Sequence, residues 1–249
     1  MKRISWIGAL LYVFCLFPAV PLFAARPLVT EDTETVEKRS FELELGFDFL
    51  RENNRDKDYL PSMQLKYGLD EKMEIGGGLG YLWSDVDEGG DLDGWTDLFA
   101  YLKYRLWEGG EYYPAFALKP LLILPTQTWR ENTESRRVDY ALGGIFDKSF
   151  GKVTLFFDIF FYWIGDPAEN DVLNTGVALE YKFLEGWSAV GEVRYSDNFN
   201  SDRKDDPLCF NFGLKKEVGW AVLDAAVNVG LNNAAPDCGF TVGVTIPFK

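Results

Sequence analysis

Carboxylates and lysines are the chemistry this chain has to offer, because its 249 residues contain no histidine. That removes every Ser-His, Cys-His and Asp-His arrangement and the commonest metal ligand, so an enzyme is not expected. Three cysteines make neither a disulfide framework nor a zinc knuckle. The run "GGGLGY" at Gly76 has no G-x-G-x-x-G spacing and no phosphate-loop lysine after it. Asp85, Asp87, Asp91 and Asp93 cluster as in a calcium loop, but its ligand spacing and closing glutamate are missing. No metal or cofactor is expected. A net charge of −14 also sets the chain against nucleic acid, whose phosphates it would repel.

The charged residues recur at every second position. In "RSFELELGFDF", Phe41, Leu43, Leu45, Phe47 and Phe49 alternate with Glu42, Glu44, Gly46 and Asp48. Successive side chains of a strand point to opposite faces, so one face is apolar and the other acidic. Similar stretches recur down the chain, giving twelve strand candidates. Most are near the roughly 9–11 residues that carry a tilted strand across a bilayer. Connections alternate between long polar loops, such as "SDVDEGGDLDG" and "SDNFNSDRKDDP", and short turns, such as "DEK" and "LEG". Trp83, Trp95, Trp107, Trp163, Trp187 and Trp220 fall at or near strand ends, where amphipathic rings suit lipid headgroups. These features predict an all-β, transmembrane, antiparallel up-and-down β-barrel of about 12 strands.

If the apolar faces meet lipid, the alternate positions line a lumen. The lining candidates are Glu42, Glu44, Asp48, Lys66, Glu74, Asp97, Lys103, Arg105, Lys119, Asp139, Asp158, Glu180, Lys182, Glu192 and Arg194. Gln64, Asp147, Asn211, Lys215, Asp224 and Asn228 share the same phase. Acids outnumber bases in this set, which predicts a mildly negative interior; ion pairing that only knits the wall together is an equal reading. Gly76, Gly78 and Gly80 leave room on the lumen side, and Phe99 and Tyr101 are the candidates to fill it.

The chain opens with Lys2 and Arg3, then the apolar run Ile4 to Val20, then a small-residue exit at Ala24. Residues 1–24 are read as a signal peptide, with cleavage after Ala24 or Ala25. The remainder divides into a periplasmic N-terminal segment, 25–38, and a barrel, 39–249. Cys209 and Cys238, both at the long-loop end, leave a disulfide open in an oxidising compartment.

The segment "ARPLVTEDTETVEKRSFELELGFDF" resembles the start of the outer-membrane barrel family associated with meta-pathway phenol degradation. Arg26, Pro27, Leu28, Thr30, Glu31, Asp32 and Thr33 carry the resemblance, with "KYRLW", "LPTQ" and "DYALGGIFDKSFG" in the same order later. The resemblance implies an outer-membrane channel or transporter-like protein. Two readings of residues 25–38 stand side by side: a peptide anchoring the periplasmic end, or a plug with Arg26 and Asp32 inside the lumen. The expected function is passive passage of small solutes with a weak cation preference. The alternative is a structural or surface-interaction barrel with a filled lumen. Expected partners are outer-membrane lipid and lipopolysaccharide, the barrel-assembly machinery and an unidentified small solute. The expected location is the outer membrane of a Gram-negative-type bacterium.

Overall fold

The computed structural model describes residues 26–52, 56–86, 92–128, 137–199 and 206–249. Residues 1–24, read from the sequence as a signal peptide, lie outside the described residues, as do Asp87 and Asp91 of the acidic loop. Strand-forming alternation becomes β1 (Phe41–Arg51), β2 (Lys57–Gly68), β3 (Met73–Asp85), β4 (Leu92–Trp95), β5 (Leu98–Trp107), β6 (Ala115–Leu124) and β7 (Asp139–Phe150). There follow β8 (Val153–Trp163), β9 (Val172–Leu184), β10 (Trp187–Asp197), β11 (Leu208–Glu217), β12 (Val222–Gly230) and β13 (Cys238–Phe248). Consecutive strands pair antiparallel, except that β5 pairs with β3 rather than β4, and β1 pairs with β13 in unbroken register from Phe41↔Phe248 to Arg51↔Cys238. That seam closes the sheet. The short β4 pairs only with β3 and stands off the wall, so twelve strands form the barrel, the number expected from the sequence. Closure matters in lipid, where an open edge would leave backbone groups without partners.

The short turns are possible because glycine supplies the left-handed conformation. Gly151, Gly186 and Gly219 have φ of 63°, 65° and 84° in the turns after β7, β9 and β11. Three prolines lie inside strands, where each lacks a ladder donor: Pro61 in β2, Pro120 in β6 and Pro247 near the end of β13, and the first two interrupt the pairing. The β2–β3 pairing skips from Tyr59↔Trp83 to Ser62↔Gly80 around Pro61. The β5–β6 pairing skips from Tyr101↔Leu121 to Tyr104↔Leu118 around Pro120.

The outer face is apolar. Leu45, Met63, Leu65, Ile75, Phe157, Val177, Phe212 and Val227 are exposed along it. Trp83, Trp95 and Trp163 are exposed toward the long-loop end, and Trp107, Trp187 and Trp220 toward the short-turn end. They form the two aromatic girdles of a membrane barrel.

The inner face is more apolar than the polar lining with inward Phe99 and Tyr101 that was expected. On β5–β9 it carries a packed apolar cluster that includes Phe99, Leu121, Ile123, Phe160 and Tyr162, all buried. Glycines make room for its rings: Tyr101 lies against Gly76, Phe99 against Gly78 and Phe160 against Gly143. Phe99 and Tyr101 thus fill the space expected of them at Gly76 and Gly78, while Gly80 faces Leu60, Pro61 and Ser62.

The disulfide is not formed: Cys209 and Cys238 are both free. Cys209 opposes Gly230 and Cys238 opposes Val229, so β12 separates them. They also face opposite ways. Cys238 shares the outward phase of Val229 and Phe240, whereas Cys209 precedes the outward Phe210 and points inward.

Leu45→Arg places a charge on the lipid face. The expected cost is about 2–4 kcal/mol near the midplane. It should lower the folded fraction, read as loss of the heat-modifiable band on a gel, while Leu45→Ile leaves that fraction unchanged.

Candidate functional site

Residues 26–38 run inside the barrel. The segment leaves the short-turn rim at Lys38, which bridges Gly68, and Arg39 N donates to Gly68 O at 2.7 Å. From there its backbone amides meet one inward carboxylate after another. Val36 N donates to Glu74 on β3 (2.8 Å), Thr33 N to Asp147 on β7 (2.8 Å) and Glu31 N to Asp158 on β8 (2.9 Å). Glu192 on β10 accepts from both Val29 N (2.9 Å) and Thr30 N (2.8 Å). A bare extended peptide has no partner for these donors in a closed space, and the charged acceptors strengthen each bond. Leu28 closes the contact by packing, 2% exposed, on Phe156, Ala178 and Val190.

The side chains of the segment carry the opposite arrangement. Glu31 pairs with Lys119 and lies 3.9 Å from Lys103, which also reaches Asp32 (3.4 Å) and Glu74 (3.5 Å). Lys103 and Lys119 face each other across the gap in the β5–β6 ladder, so Glu31 and its neighbours hold apart two like charges. Lys119 Nζ also sits 3.8 Å from the centre of the Tyr101 ring. At the far end Arg26 spans the β1–β13 seam. It lies over Gly46 and Gly243, which oppose one another there, and its Nε is 3.3 Å from Asp224. A terminal nitrogen donates to Thr241 Oγ1 (2.7 Å) and Val242 O (2.6 Å).

The lining candidates fall into three groups. Glu74, Lys103, Lys119, Asp158, Glu192 and Arg194 surround the segment; Arg194 pairs with Asp158 at 3.3 Å. Glu42, Glu44 and Lys66 form their own cluster, at 2.9 and 2.5 Å, and Glu180 pairs with Lys215 at 3.0 Å. Asp97, Arg105, Asp139 and Lys182 belong to the rims. Asp97 and Asp139 accept from Gln127 N and Gly165 N near the long loops, and Arg105 donates to Glu71 O in the β2–β3 turn. Lys182 is exposed, with its backbone N on Lys152 O. Asp48 stands apart: its Oδ2 is buried without a partner. The mildly negative lining expected from counting acids is therefore mostly neutralised, by lysines, arginines and peptide amides. Glu31, Thr30 and Thr33 were not among the candidates, although the alternation within "LVTEDT" was a signal for an extended segment with two faces.

Above the segment lies a small hollow that opens to solvent. Arg26, Pro27, Asp48, Asn211, Asn228 and Thr241 are among the residues that line it. A hydrogen-bonded chain runs along its wall, from Asn228 to Asn211 and on to Glu192.

At the long-loop rim, Glu52 is half-buried beside Asp58, Asp56 and Asp237, and partial desolvation with those charges pushes its carboxyl up to about 7. The folded state therefore binds this proton more tightly than the unfolded chain, whose value is near 4.5. The stabilisation is full below 4.5 and is lost as pH rises toward 7. In Glu52→Gln, the denaturation midpoint should vary less with pH across that window. Inside the barrel, Glu31→Ala leaves Lys103 and Lys119 facing each other. A cost of about 3–5 kcal/mol is expected, read as earlier denaturation, with partial recovery in Glu31→Ala/Lys119→Met. Glu44→Arg would set a second cation against Lys66 and is expected to destabilise for the same reason.

Comparison with solved structures finds barrels of this kind. The COG4313 outer membrane channel from Pseudomonas putida F1 is similar over 87% of this chain and 98% of its own, with TM-score 0.64 and 17% identity. The NanC porin is similar over 82% and 98% (TM-score 0.60, 9% identity), and the CymD monoaromatic hydrocarbon channel over 85% and 89% (TM-score 0.54, 11% identity). At such identities the likeness establishes the fold, that of outer-membrane channel barrels. A comparison with curated proteins finds no match. The sequence pattern of one family matches residues 24–248, the luminal segment and every strand of the wall together, and the chain belongs to that family, described as the MetA-pathway of phenol degradation.

Proposed function

We propose that this protein is an outer-membrane channel for small solutes whose resting conductance is set by its own residues 26–38. One observation carries the reading: five amides of that segment bond to inward carboxylates on four different strands. A peptide that merely anchored the periplasmic end would need only the contacts at Lys38 and Arg39. Solutes would pass through the hollow between the segment and the wall of β1 and β11–β13, lined by Asp48, Asn211, Asn228 and Thr241. The similar structures support a channel at the level of the fold. A weak cation preference would come from the acids not taken up by the segment, Asp48 in the hollow and Asp97 and Asp139 at the outer rim. Export would use a cleaved signal peptide at 1–24, and the barrel would sit in the outer membrane among lipid and lipopolysaccharide.

A second reading, a filled barrel that conducts nothing, is favoured by the apolar cluster on β5–β9, which occupies part of that side of the interior. Reconstitution in planar bilayers separates the two. The channel reading expects a small discrete conductance from the intact protein and a severalfold larger one when residues 26–35 are deleted, in barrels that remain heat-modifiable. Absence of conductance in both proteins selects the filled barrel. Equal conductance in both means that the segment does not restrict the lumen.

A further inference from the structure

On the outer face of the barrel, two cations stand side by side at the long-loop rim. Arg51 and Lys57 oppose each other directly across β1 and β2, in the outward phase of Phe49 and Tyr59. Arg51 meets Cys238 on its other side, and Lys57 meets Asp85. The Lys57–Asp85 contact is 3.5 Å long with both side chains half exposed, so it holds Lys57 only weakly. Two like charges directly opposed on one sheet face repel each other unless an anion lies between them. The other charged outward positions of the strands at this rim, Asp85, Asp93 and Asp197, are acids. The other outward cations of the strands are at the short-turn end and are engaged there. Lys148 donates to the carbonyls of Glu111 and Tyr113, and Lys216 lies 5.0 Å from the centre of the Trp187 ring.

The height of the pair on the barrel says what could reach it. Arg51 is the last of the eleven residues of β1. At about 3.3 Å per residue and a tilt near 40°, the strand from Phe41 to Arg51 rises about 25 Å, the height of the apolar band of a membrane barrel. Immediately below the pair, Phe240, Phe49, Tyr59 and Trp83 line up across β13, β1, β2 and β3. The Phe49 ring centre is 5.3 Å from those of both Phe240 and Tyr59. Leu45, Met63 and Val242, all exposed, continue the apolar strip toward the midplane. Arg51 and Lys57 therefore stand at headgroup level, above an aromatic belt.

We propose that Arg51 and Lys57 bind one phosphate of the glycolipid anchor of lipopolysaccharide, lipid A, whose acyl chains lie on the strip beneath. Directly opposed residues have Cβ atoms about 5 Å apart, which lets both head groups reach the oxygens of one phosphate. Arginine supplies two parallel donors, and lysine supplies a mobile point charge. Free phosphate would meet the same two cations, but only a lipid also covers the aromatic and aliphatic strip below them. The site lies outside the lumen and takes no part in passage through it. It rests on the outer-membrane placement proposed above, with the long loops on the outer side.

The test is lipid binding by the whole mature chain, refolded from denaturant in nonionic detergent so that it carries no native lipid. Diphosphoryl lipid A, dephosphorylated lipid A and inorganic phosphate are the probes. Diphosphoryl lipid A is expected to bind at least about tenfold more tightly than the dephosphorylated lipid, the effect of one charge-assisted contact. Arg51→Gln/Lys57→Gln should remove most of that difference. Asp85→Asn, which frees Lys57 from its carboxylate, should tighten binding, and it decides the matter if the double variant does not fold. Lys216→Gln, at the opposite rim, should change nothing. Equal affinity for the two lipids, wild-type binding by the double variant, no tightening in Asp85→Asn, or an equal loss in Lys216→Gln each overturn the proposal. Inorganic phosphate bound as tightly as lipid A overturns the lipid as occupant. Membrane fractionation checks the placement separately: a protein found in the outer membrane that fails the binding test overturns this site alone.

Discussion

Glu74, Asp147, Asp158 and Glu192 point into a space walled on every side by their own sheet, where water cannot freely solvate them. Each must find a donor there. A carboxylate isolated in such a place costs several kcal/mol, and one that accepts two amide hydrogens costs far less. The segment of residues 26–38 provides those hydrogens and brings its own carboxylates, Glu31 and Asp32, to the lysines of β5 and β6. Charge on the wall and backbone on the peptide satisfy each other, and neither arrangement stands without its partner. The position of the segment, the spacing of Lys103 and Lys119, and the hollow left beside β1 all follow from that exchange.

The lipid side was the more legible half. Lipid tolerates no polar group, so every strand had to keep its apolar parity, and Phe41 to Phe49 could be read as one outward face from type alone. Loop length and tryptophan placement are set by the same bilayer. The lumen imposes a weaker rule. Glu192 would sit at the same alternate position whether it faced water or a peptide amide, so the pattern did not say which. The rims misled for a related reason: Asp97 and Asp139 keep the inward phase but lie where loops need acceptors.

Two other features were written in the sequence in a form that parity could have read. "AFALKPLLIL" and "VTLFFDIFFYW" are apolar at both phases for much of their length, as strands covered on both faces are. Leu121, Ile123, Phe160 and Tyr162 accordingly make a dry inner cluster. The cysteines were judged by their shared end of the barrel, but Phe210 and Phe240 fix the outward phase of β11 and β13. Cys209 must then point in and Cys238 out, and no loop movement brings them together without turning a strand over.

An interior with an apolar cluster on one side and open polar groups on the other constrains what any passage can be. The apolar cluster on β5–β9 and Leu28 of the segment pack against the barrel from one side, so the segment cannot be displaced toward them without opening a cavity. On the other side, Asp48, Asn211, Asn228 and Thr241 present groups that water or a polar solute can satisfy. Any path must therefore run along β1 and β11–β13, next to Arg26. Widening it means loosening the bonds of Arg26 at the closing seam before those of Thr30 and Glu31, which are held by β10, β8 and β6. The end of the segment that solutes would meet is thus the end held by one side chain across two glycines, and the part beneath it, pinned by carboxylates from strand after strand, is the fixed floor.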